Sequence, residues 1–356
     1  MQTIHRVFNE NSKRLDSVSS NSVDLVVTSP PYPMVAMWDE LFALQDAAIR
    51  KALEKGDGVS AFEFMHRTLD PVWDEIYRVV KDGGIACINI GDATRTLKGD
   101  FCLYSNHARI LQYLLGVGFR ALPDILWRKQ TNAPNKFMGS GMLPAGAYVT
   151  LEHEYILVLR KGKKREFNKA EERQNRRESA IFWEERNLWF SDVWMDVKGT
   201  GQELFNRATR SRSAAFPFEV AQRLINMFSV RGDTVLDPFL GTGTTTAAAM
   251  ACGRHSLGFE LDANLLDAVR QMAREIVPFA NAYMRDRSAR HLEFVAERSA
   301  KKGPLKYASQ FYGFPVVTRQ EREIILSELA AVEARGEREF AVSYAARPGA
   351  VAGNCH

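Results

Sequence analysis

Residues 23–32 read VDLVVTSPPY, an apolar run that ends in a serine, two prolines and a tyrosine. Proline fixes the backbone φ, lacks an amide hydrogen and favours extended neighbours. We therefore expect a stiff segment with free carbonyl oxygens at Ser29, Pro30, Pro31 and Tyr32. A hydroxyl, an aromatic ring and unpaired carbonyls at one point indicate a segment that presents groups to a ligand.

Residues 233–246 read DTVLDPFLGTGTTT, in which an apolar strand leads through Asp237 into a glycine-rich turn and an alanine-rich helix. Glycines let the backbone approach a ligand, and the amides at a helix N-terminus bind anionic groups. The next strand ends at Glu260, where a carboxylate can accept hydrogen bonds from ribose hydroxyls. The combination predicts a nucleotide-type cofactor site. Alone, Gly241 and Gly243 would fit an ordinary turn, and Glu260 a helix cap.

The bulk composition excludes several classes of protein. The chain has 356 residues, a formal net charge of +4, and no stretch of eighteen apolar residues. The N-terminus lacks a signal-peptide core, so we expect a soluble, intracellular protein. The four cysteines form no CxxC pair, which argues against a zinc site and a disulfide framework. We therefore expect no metal site.

Short apolar runs alternate with amphipathic stretches along the chain. The predicted strands are residues 23–28, 84–90, 154–159, 234–237 and 256–260. Helices are predicted at 71–81, with Pro71 in the first turn, and at 217–229. Strands that alternate with helices predict a largely parallel sheet covered on both faces.

Other segments interrupt this alternation. Residues 33–70 are predicted to be a helical insertion, and 128–150 form a loop rich in Gly, Pro and Asn. Residues 160–177 carry nine basic and three acidic side chains. Residues 311–334 are predicted to form a short strand and an amphipathic helix. From Arg335 on, the weak pattern suggests a frayed terminus.

TSPPY at 28–32 together with DPFLGTGTT at 237–245 resembles the amino-group DNA methyltransferases that use S-adenosylmethionine. The resemblance covers roughly residues 4–275, and LPDILWRK and LEHEYILVLRK look like paired strands of that family. The catalytic motif precedes the cofactor motif, as in the circularly permuted β group, in which target recognition lies mostly between the two. The resemblance implies a doubly wound, mostly parallel, Rossmann-like α/β sheet.

The same resemblance implies a division of the chain. Residues 1–160, with the insertion 33–70, correspond to the catalytic half, and 161–210 to a basic target-recognition segment. Residues 211–275 correspond to the cofactor-binding half, and 276–356 to a partly helical C-terminal extension.

The family's site residues map onto this chain as follows. The catalytic tetrapeptide corresponds to Ser29, Pro30, Pro31 and Tyr32. The cofactor contacts correspond to Asn11, Thr28, Phe216, Asp237, Pro238, Phe239, Gly241, Thr242, Gly243, Thr244 and Glu260. Many relatives carry Gly-Asp where this chain has Glu10-Asn11, and Asn11 can still accept a hydrogen bond through its amide oxygen.

The implied chemistry is transfer of a methyl group to an exocyclic amine of DNA. Hydrogen bonds from the amine to the Ser29 hydroxyl and the Pro30 carbonyl would free the nitrogen lone pair for direct attack on the sulfonium methyl. The base must be flipped out of the duplex, and Tyr32 is the expected stacking platform. No cysteine follows a proline, which disfavours the class that methylates carbon 5 of pyrimidines.

The target base and the partners are inferred only from what is usual in the resembled family. The serine form of the tetrapeptide accompanies cytosine N4 methylation more than adenine N6 methylation, so we favour cytosine N4 and keep adenine N6 as the alternative. A silent DNA-binding protein is less consistent with two intact motifs. The implied partners are double-stranded DNA and a restriction endonuclease encoded alongside. We expect a prokaryotic, cytoplasmic, nucleoid-associated enzyme, monomeric or homodimeric.

Candidate DNA contacts come from basic residues between the motifs. They are Lys136, Lys163, Lys164, Arg165, Arg207, Arg210 and Arg212, although such runs can also be solvated helix faces. The aromatic residues at 182–194 are expected to pack in the core rather than stack on DNA. His153 and Glu154 are adjacent and could form a catalytic pair, but their strand context favours packing and edge hydrogen bonding, and we assign them no role.

Overall fold

The computed structural model describes residues 1–129, 148–199 and 216–346. Its strands are β1 (Gln2–Phe8), β2 (Val23–Thr28), β3 (Val80–Ile90), β4 (Ala93–Leu97), β5 (Asp100–Tyr104), β6 (Arg120–Ala121), β7 (Ile125–Arg128), β8 (His153–Arg160), β9 (Val193–Trp194), β10 (Thr234–Asp237), β11 (His255–Phe259), β12 (Tyr307–Ala308), β13 (Pro315–Val316), β14 (Leu329–Ala334) and β15 (Glu339–Tyr344). All five strands predicted from the apolar runs are present.

The α-helices of the same residues are α1 (Asp39–Ala43), α2 (Ala47–Lys55), α3 (Gly58–Val79), α4 (Asn106–Val117), α5 (Ala170–Glu178), α6 (Trp183–Trp189), α7 (Phe218–Phe228), α8 (Thr244–Cys252) and α9 (Ala263–Lys302). Short 3-10 helices cover Ala36–Trp38 and Arg319–Glu321. The predicted helix at 217–229 corresponds to α7, which Pro217 precedes as the N-cap residue. None of the helices in the described ranges is long and apolar enough to cross a membrane.

In the described part of the chain, one sheet has the strand order β14-β15-β1-β11-β10-β2-β3-β8-β7-β9, and β6 pairs with β8. The five central strands, β1, β11, β10, β2 and β3, are mutually parallel. Antiparallel strands extend the sheet on both sides. The parallel strands therefore all end at one edge of the sheet, which we call the carboxyl edge.

Strand β2 shows why the sheet is covered on both faces. All six of its residues are buried. Leu25 and Val27 belong to a core that includes residues of α7, α8 and α9, whereas Val26 between them belongs to a second core with α2, α3 and α4. Successive side chains of a strand point to opposite faces, so a continuous apolar run needs a helical layer on each. The predicted doubly wound α/β fold is confirmed.

The insertion at 33–70 is helical, as predicted, but the helix after it begins earlier than expected. Pro71 lies inside α3, which starts at Gly58, and not in a first turn. Proline removes the hydrogen bond to the carbonyl four residues earlier and crowds that carbonyl, and here it belongs to Arg67, an exposed residue. The amphipathic pattern on both sides of Pro71 is therefore strong enough to continue the helix.

The C-terminal part differs from the prediction. Helix α9 runs without interruption from Ala263 to Lys302. The amphipathic helix predicted within 311–334 is wrong, because Leu329–Ala334 form strand β14. The predicted fraying from Arg335 on is also wrong for the described residues, because Glu339–Tyr344 pair with β1. Strand β15 pairs with β1 at the edge of the parallel strands, and β14 pairs with β15. Local periodicity does not encode such pairings.

The aromatic residues at 182–194 mostly pack in the interior, as predicted. Phe182, Trp189 and Trp194 are buried, whereas Phe190 is exposed. Phe182 stacks on His291 of α9 with 3.8 Å between ring centroids, and Arg287 of α9 pairs with Glu185. The long helix α9 therefore holds the segment around α6 against the sheet.

Candidate active site

Thr28 and Asp237 join the two sequence motifs, because they end the neighbouring strands β2 and β10. The Thr28 hydroxyl donates to Asp237 Oδ1 at 2.6 Å, and the Thr245 hydroxyl donates to Oδ2 at 2.7 Å. The amide of Phe239 also donates to Oδ1 at 3.0 Å. Burial raises the pKa of Asp237 to about 6, and these hydrogen bonds oppose the shift. The carboxylate fixes the positions at which both motifs leave the sheet.

The glycine-rich turn is held in a conformation that side chains disfavour. Gly241 and Gly243 have φ of 57° and 89°, in the left-handed region, and α8 begins directly after Gly243. Glu260, at the end of β11, accepts hydrogen bonds from the amides of Gly241 and Asp262, both at 2.8 Å. Burial raises the pKa of Glu260. The predicted cofactor carboxylate therefore also fixes the turn.

Both motifs line one cavity of about 450 Å³ at the carboxyl edge. The site residues predicted from the sequence that line it are Asn11, Ser29, Pro30, Pro31, Tyr32, Phe216, Asp237, Pro238, Phe239, Gly241, Thr244 and Glu260. Thr28, Thr242 and Gly243 do not line it, although Thr28 bonds the Asp237 carboxylate that does. The structure thus brings together nearly all the residues predicted for catalysis and cofactor binding.

The helical insertion forms a wall of this cavity, which the sequence did not indicate. Trp38 ends the first 3-10 helix, Leu41 and Phe42 lie in α1, and all three line the cavity. Leu69 and Val72 of α3 also line it. These side chains are apolar, so they favour a ligand that presents a ring or an aliphatic surface on this side. The opposite wall carries the polar groups of the two motifs.

Asn11 lies on the loop after β1 and lines the cavity. Its Oδ1 accepts a hydrogen bond from the amide of Lys13 at 3.0 Å. An amide oxygen has two lone pairs, so one remains for a ligand. The position predicted to contact the adenine amino group thus retains an acceptor at the cavity wall.

The Thr242 and Thr244 hydroxyls indicate a missing polar partner beside the glycine-rich turn. Both are buried, and neither has a hydrogen-bond partner among the described residues. A buried hydroxyl without a partner is costly, and Thr244 lines the cavity whereas Thr242 does not, so the Thr244 hydroxyl favours a ligand that completes its hydrogen bonding. Thr244 lies at the helix N-terminus, where an anionic carboxylate is favoured. The residues present fit a nucleoside cofactor with a charged amino-acid end.

The catalytic tetrapeptide is held by a network of polar side chains. The Ser29 hydroxyl donates to the Tyr32 oxygen at 3.1 Å, and Tyr32 donates to Glu154 Oε2 at 2.9 Å. Asn89 Nδ2 donates to both Tyr32 and Glu154, at 2.8 and 2.7 Å. Lys129 forms an ion pair with Glu154. Burial and the nearby Glu154 raise the pKa of Tyr32 well above its usual value.

Glu154, Asn89 and Asn106 contact the tetrapeptide or the residue that follows it, although the sequence analysis gave them no role. Asn106 is fully buried, and its Nδ2 donates to the carbonyls of Pro33 and Gly91 at 3.1 and 3.0 Å. Glu154, which was expected to pack and to form edge hydrogen bonds without a role in the site, instead accepts hydrogen bonds from Tyr32 and Asn89. A useful signal was a lone carboxylate at the start of a buried strand, because such a group requires a partner.

Of the basic residues predicted to contact DNA, the three in the described ranges do not line the cavity. Arg165 pairs with Asp233, at 2.6 and 3.0 Å, directly before β10 and so at the opposite edge of the sheet. Lys163 and Lys164 are exposed beside it. Lys136, Arg207, Arg210 and Arg212 lie outside the described residues. DNA binding by this set remains a prediction. No group of three metal-ligating side chains occurs in the ranges that the structure covers.

Comparisons with known proteins agree with this geometry. The family model N6_N4_Mtase, described as DNA methylase, matches residues 23–271. The chain is 50% identical over 327 residues to the type II methyltransferase M.MthZI of Methanothermobacter thermautotrophicus, covering 92% of this chain and 91% of that protein. It is 46% identical over 280 residues to M.MjaI of Methanocaldococcus jannaschii, covering 76% of this chain and 91% of that protein.

Solved structures give the same result. One is a protein of Thermus thermophilus, provisionally described as a DNA modification methylase and complexed with S-adenosyl-L-methionine. It is 32% identical, with a TM-score of 0.58, and the match covers 76% of this chain and 96% of that one. The cytosine-N4-specific PvuII DNA methyltransferase shares the fold at 16% identity, with a TM-score of 0.52 and coverage of 76% and 87%. The chain belongs to the N6/N4 DNA methylase family and is an S-adenosylmethionine-dependent DNA methyltransferase.

Proposed function

We propose that the enzyme methylates the exocyclic N4 amine of a cytosine that is flipped out of double-stranded DNA. The observation that carries the proposal is the position of Ser29, which lines the same cavity as Asp237 and Gly241. The serine form of the tetrapeptide is the form associated mostly with cytosine N4. Either amine could donate to a serine oxygen, so adenine N6 is the alternative that the experiment must exclude.

In this scheme the chain positions the amine rather than forming a covalent bond to it. The Ser29 hydroxyl oxygen and the Pro30 carbonyl accept the two amine hydrogens, so that the nitrogen lone pair leaves conjugation with the ring. The bound cofactor supplies an electrophilic methyl group on a sulfonium. Tyr32 offers its ring to the base. The apolar wall from the insertion excludes water from the reacting groups.

The cofactor-binding residues are the second part of the proposal. The Thr244 hydroxyl and the amides at the start of α8 would hold the amino-acid end of the cofactor, and Glu260 would accept from its ribose. Asn11 would accept from its adenine amino group. Phe216 also lines the cavity and would contact the methionine end of the cofactor. The permuted β-group order and the division into two half-domains belong to this proposal.

We also propose that the enzyme is the modification half of a restriction system. Its relatives with 50% and 46% identity are both named type II methyltransferases. The partners would then be double-stranded DNA and an endonuclease of the same specificity, and the enzyme would act as a monomer or homodimer on nucleoid DNA. Segment 161–210 would contribute to target recognition.

Mass analysis of enzymatically digested product DNA tests the target base. Plasmid DNA is incubated with the wild type and isotopically labelled cofactor, and the nucleosides are separated. We expect label in N4-methylcytosine and none in N6-methyladenine; the reverse result would establish the alternative. The Ser29→Ala variant serves as the control, since it should give no labelled nucleoside while still binding cofactor.

A further inference from the structure

Glu154 is a buried charge that the scheme above does not use. Its side chain is almost inaccessible, and it lies at the start of β8, at the carboxyl edge. It accepts hydrogen bonds from Tyr32 and Asn89 and pairs with Lys129. Burying a carboxylate costs several kcal/mol unless it is well paired. A neutral glutamine could also accept the Tyr32 hydrogen bond, so this hydrogen bond alone does not require a charge at residue 154.

The hydrogen bonds from Ser29 through Tyr32 to Glu154 all donate in the same direction, toward Glu154. An ionised carboxylate has no hydrogen to give, so Tyr32 must donate its single hydroxyl hydrogen to Glu154. Asn89 uses its two amide hydrogens on Tyr32 and Glu154. The Tyr32 oxygen can then only accept from Ser29, which must donate. The lone pairs of the Ser29 oxygen are thereby left free for another donor.

We propose that Glu154 is a positioning residue for methyl transfer. Acting through Tyr32, it orients Ser29 as a hydrogen-bond acceptor toward the target amine and takes up the proton that the methylated amine releases. The inference rests on the placement of the amine at Ser29 under the proposed function. It holds for cytosine and adenine alike.

Methyl transfer forms one bond and breaks one. The amine nitrogen forms a bond to the methyl carbon while the carbon–sulfur bond breaks, and the electron pair of the broken bond stays on sulfur. The nitrogen, now positive, loses a proton to the Ser29 oxygen as Ser29 passes its own to Tyr32. Tyr32 passes its hydroxyl proton to Glu154, which becomes a neutral carboxylic acid and later releases the proton to water. The exocyclic amine of a base is a very weak base because its lone pair is delocalised into the ring, so the positively charged methylated amine is a stronger acid than a carboxylic acid and the proton transfer to Glu154 is downhill.

Lys129 is the counter-ion of Glu154. It lies at the end of β7, and its ammonium sits 4.8 Å from the centre of the Trp127 ring while it pairs with Glu154. The pair leaves Glu154 Oε2 facing Tyr32 and Asn89, because Lys129 contacts Oε1. One oxygen thus holds the counter-ion and the other ends the hydrogen-bond chain.

The test is a double-mutant cycle with Glu154→Gln and Tyr32→Phe. Glutamine keeps an acceptor for Tyr32 but removes the charge, and phenylalanine keeps the ring but breaks the chain. We expect each to slow single-turnover methyl transfer by about ten- to a hundredfold, the range of positioned proton transfer. The double variant should be no slower than the slower single variant. Cofactor affinity, and the fluorescence of a base analogue flipped at the target position, should stay unchanged.

The matched control is Glu152→Gln. Glu152 is also at this edge, but its carboxylate pairs with Arg128 at 2.9 Å and lies outside the chain from Ser29. A wild-type rate for Glu154→Gln would overturn the inference, as would multiplicative losses in the double variant. If Glu154→Gln does not fold, Tyr32→Phe decides, because it retains the ion pair. A fully active Ser29→Ala would instead refute the proposed site itself.

Discussion

Thr28 and Asp237 share a hydrogen bond of 2.6 Å although about two hundred residues separate them. Thr28 opens the catalytic tetrapeptide, and Asp237 opens the glycine-rich turn. Because both side chains are buried at the ends of adjacent parallel strands, the bond holds the two motifs at a fixed separation. Asp237 is therefore the residue on which both cofactor binding and the geometry of the tetrapeptide depend.

Replacement of Asp237 by alanine should abolish binding of S-adenosylmethionine. The change removes the acceptor of the Thr28 and Thr245 hydroxyls and of the Phe239 amide, so the turn loses its anchor. Leaving buried donors unpaired should also lower the free energy of unfolding by about 1 to 3 kcal/mol for each. Isothermal titration calorimetry measures the affinity. Thr245→Val, which removes one donor only, should weaken binding less, and an unchanged affinity in Asp237→Ala would count against the assignment.

The buried Asp237 carboxyl should also make stability depend on pH. Its pKa is about 6 in the folded protein and near 3.8 when unfolded. As the pH rises, the carboxyl therefore loses its proton in the unfolded state before it does so in the folded state. Its contribution to the free energy of unfolding is fully present below about pH 4 and is lost as the pH rises through 6. Relative to Asp237→Asn, the wild type should lose up to about 3 kcal/mol of unfolding free energy over that interval. Urea unfolding at several pH values gives this difference, and a flat difference would contradict the argument.

The left-handed backbone at Gly243 should tolerate no side chain. A Cβ there would lie 3.1 Å from Met272 Cε and 3.3 Å from Val269, in addition to the strain at a φ of 89°. Gly232 has a φ of 76° with open space around it, so Gly232→Ala measures the backbone strain alone. We expect about 1 to 2 kcal/mol for Gly232→Ala and a larger loss for Gly243→Ala. Equal losses in thermal unfolding would show that the contact is unimportant.

The positions of the two motifs could be predicted because local signals define them. Asp237 and Thr28 each end a short buried strand, and parallel strands that carry nucleotide sites present them at their carboxyl ends. The glycine turn and Glu260 were recognisable in combination, and the role of the tetrapeptide was implied by the family resemblance. Their convergence on one cavity therefore follows from chain order and parallel pairing.

The remaining contacts depend on pairings that no local pattern encodes. Glu154 meets Tyr32 across 122 positions, and Asn106 reaches Pro33 across 73. Strand β14 has a sequence that favours a helix, and it is extended because β15 pairs with it and with β1. Such tertiary pairings override intrinsic propensity, whereas apolar periodicity was sufficient for the central strands.

Ser29 and Tyr32 should be required for methyl transfer and dispensable for cofactor binding. Ser29→Ala removes an acceptor for the amine, and Tyr32→Ala removes both the ring and the link to Glu154. We expect labelled methyl transfer to DNA to fall by at least about a hundredfold in either variant. Calorimetry should show cofactor binding close to that of the wild type. Full activity of both variants would refute the assigned mechanism.

Arg165 should matter for stability rather than for DNA affinity. Its guanidinium makes two hydrogen bonds to the buried Asp233, so Arg165→Ala leaves a buried carboxylate without its cation. Because Arg165 itself is partly exposed, we expect the free energy of unfolding in urea to fall by about 1 to 3 kcal/mol.

The neighbouring lysines separate this effect from DNA binding. Lys163 and Lys164 are exposed, and their alanine variants should unfold like the wild type. If these lysines contact phosphates, the slope of DNA affinity against salt concentration should fall in their variants and stay constant in Arg165→Ala. A reduced slope in Arg165→Ala, with unchanged stability, would instead assign Arg165 to the DNA interface.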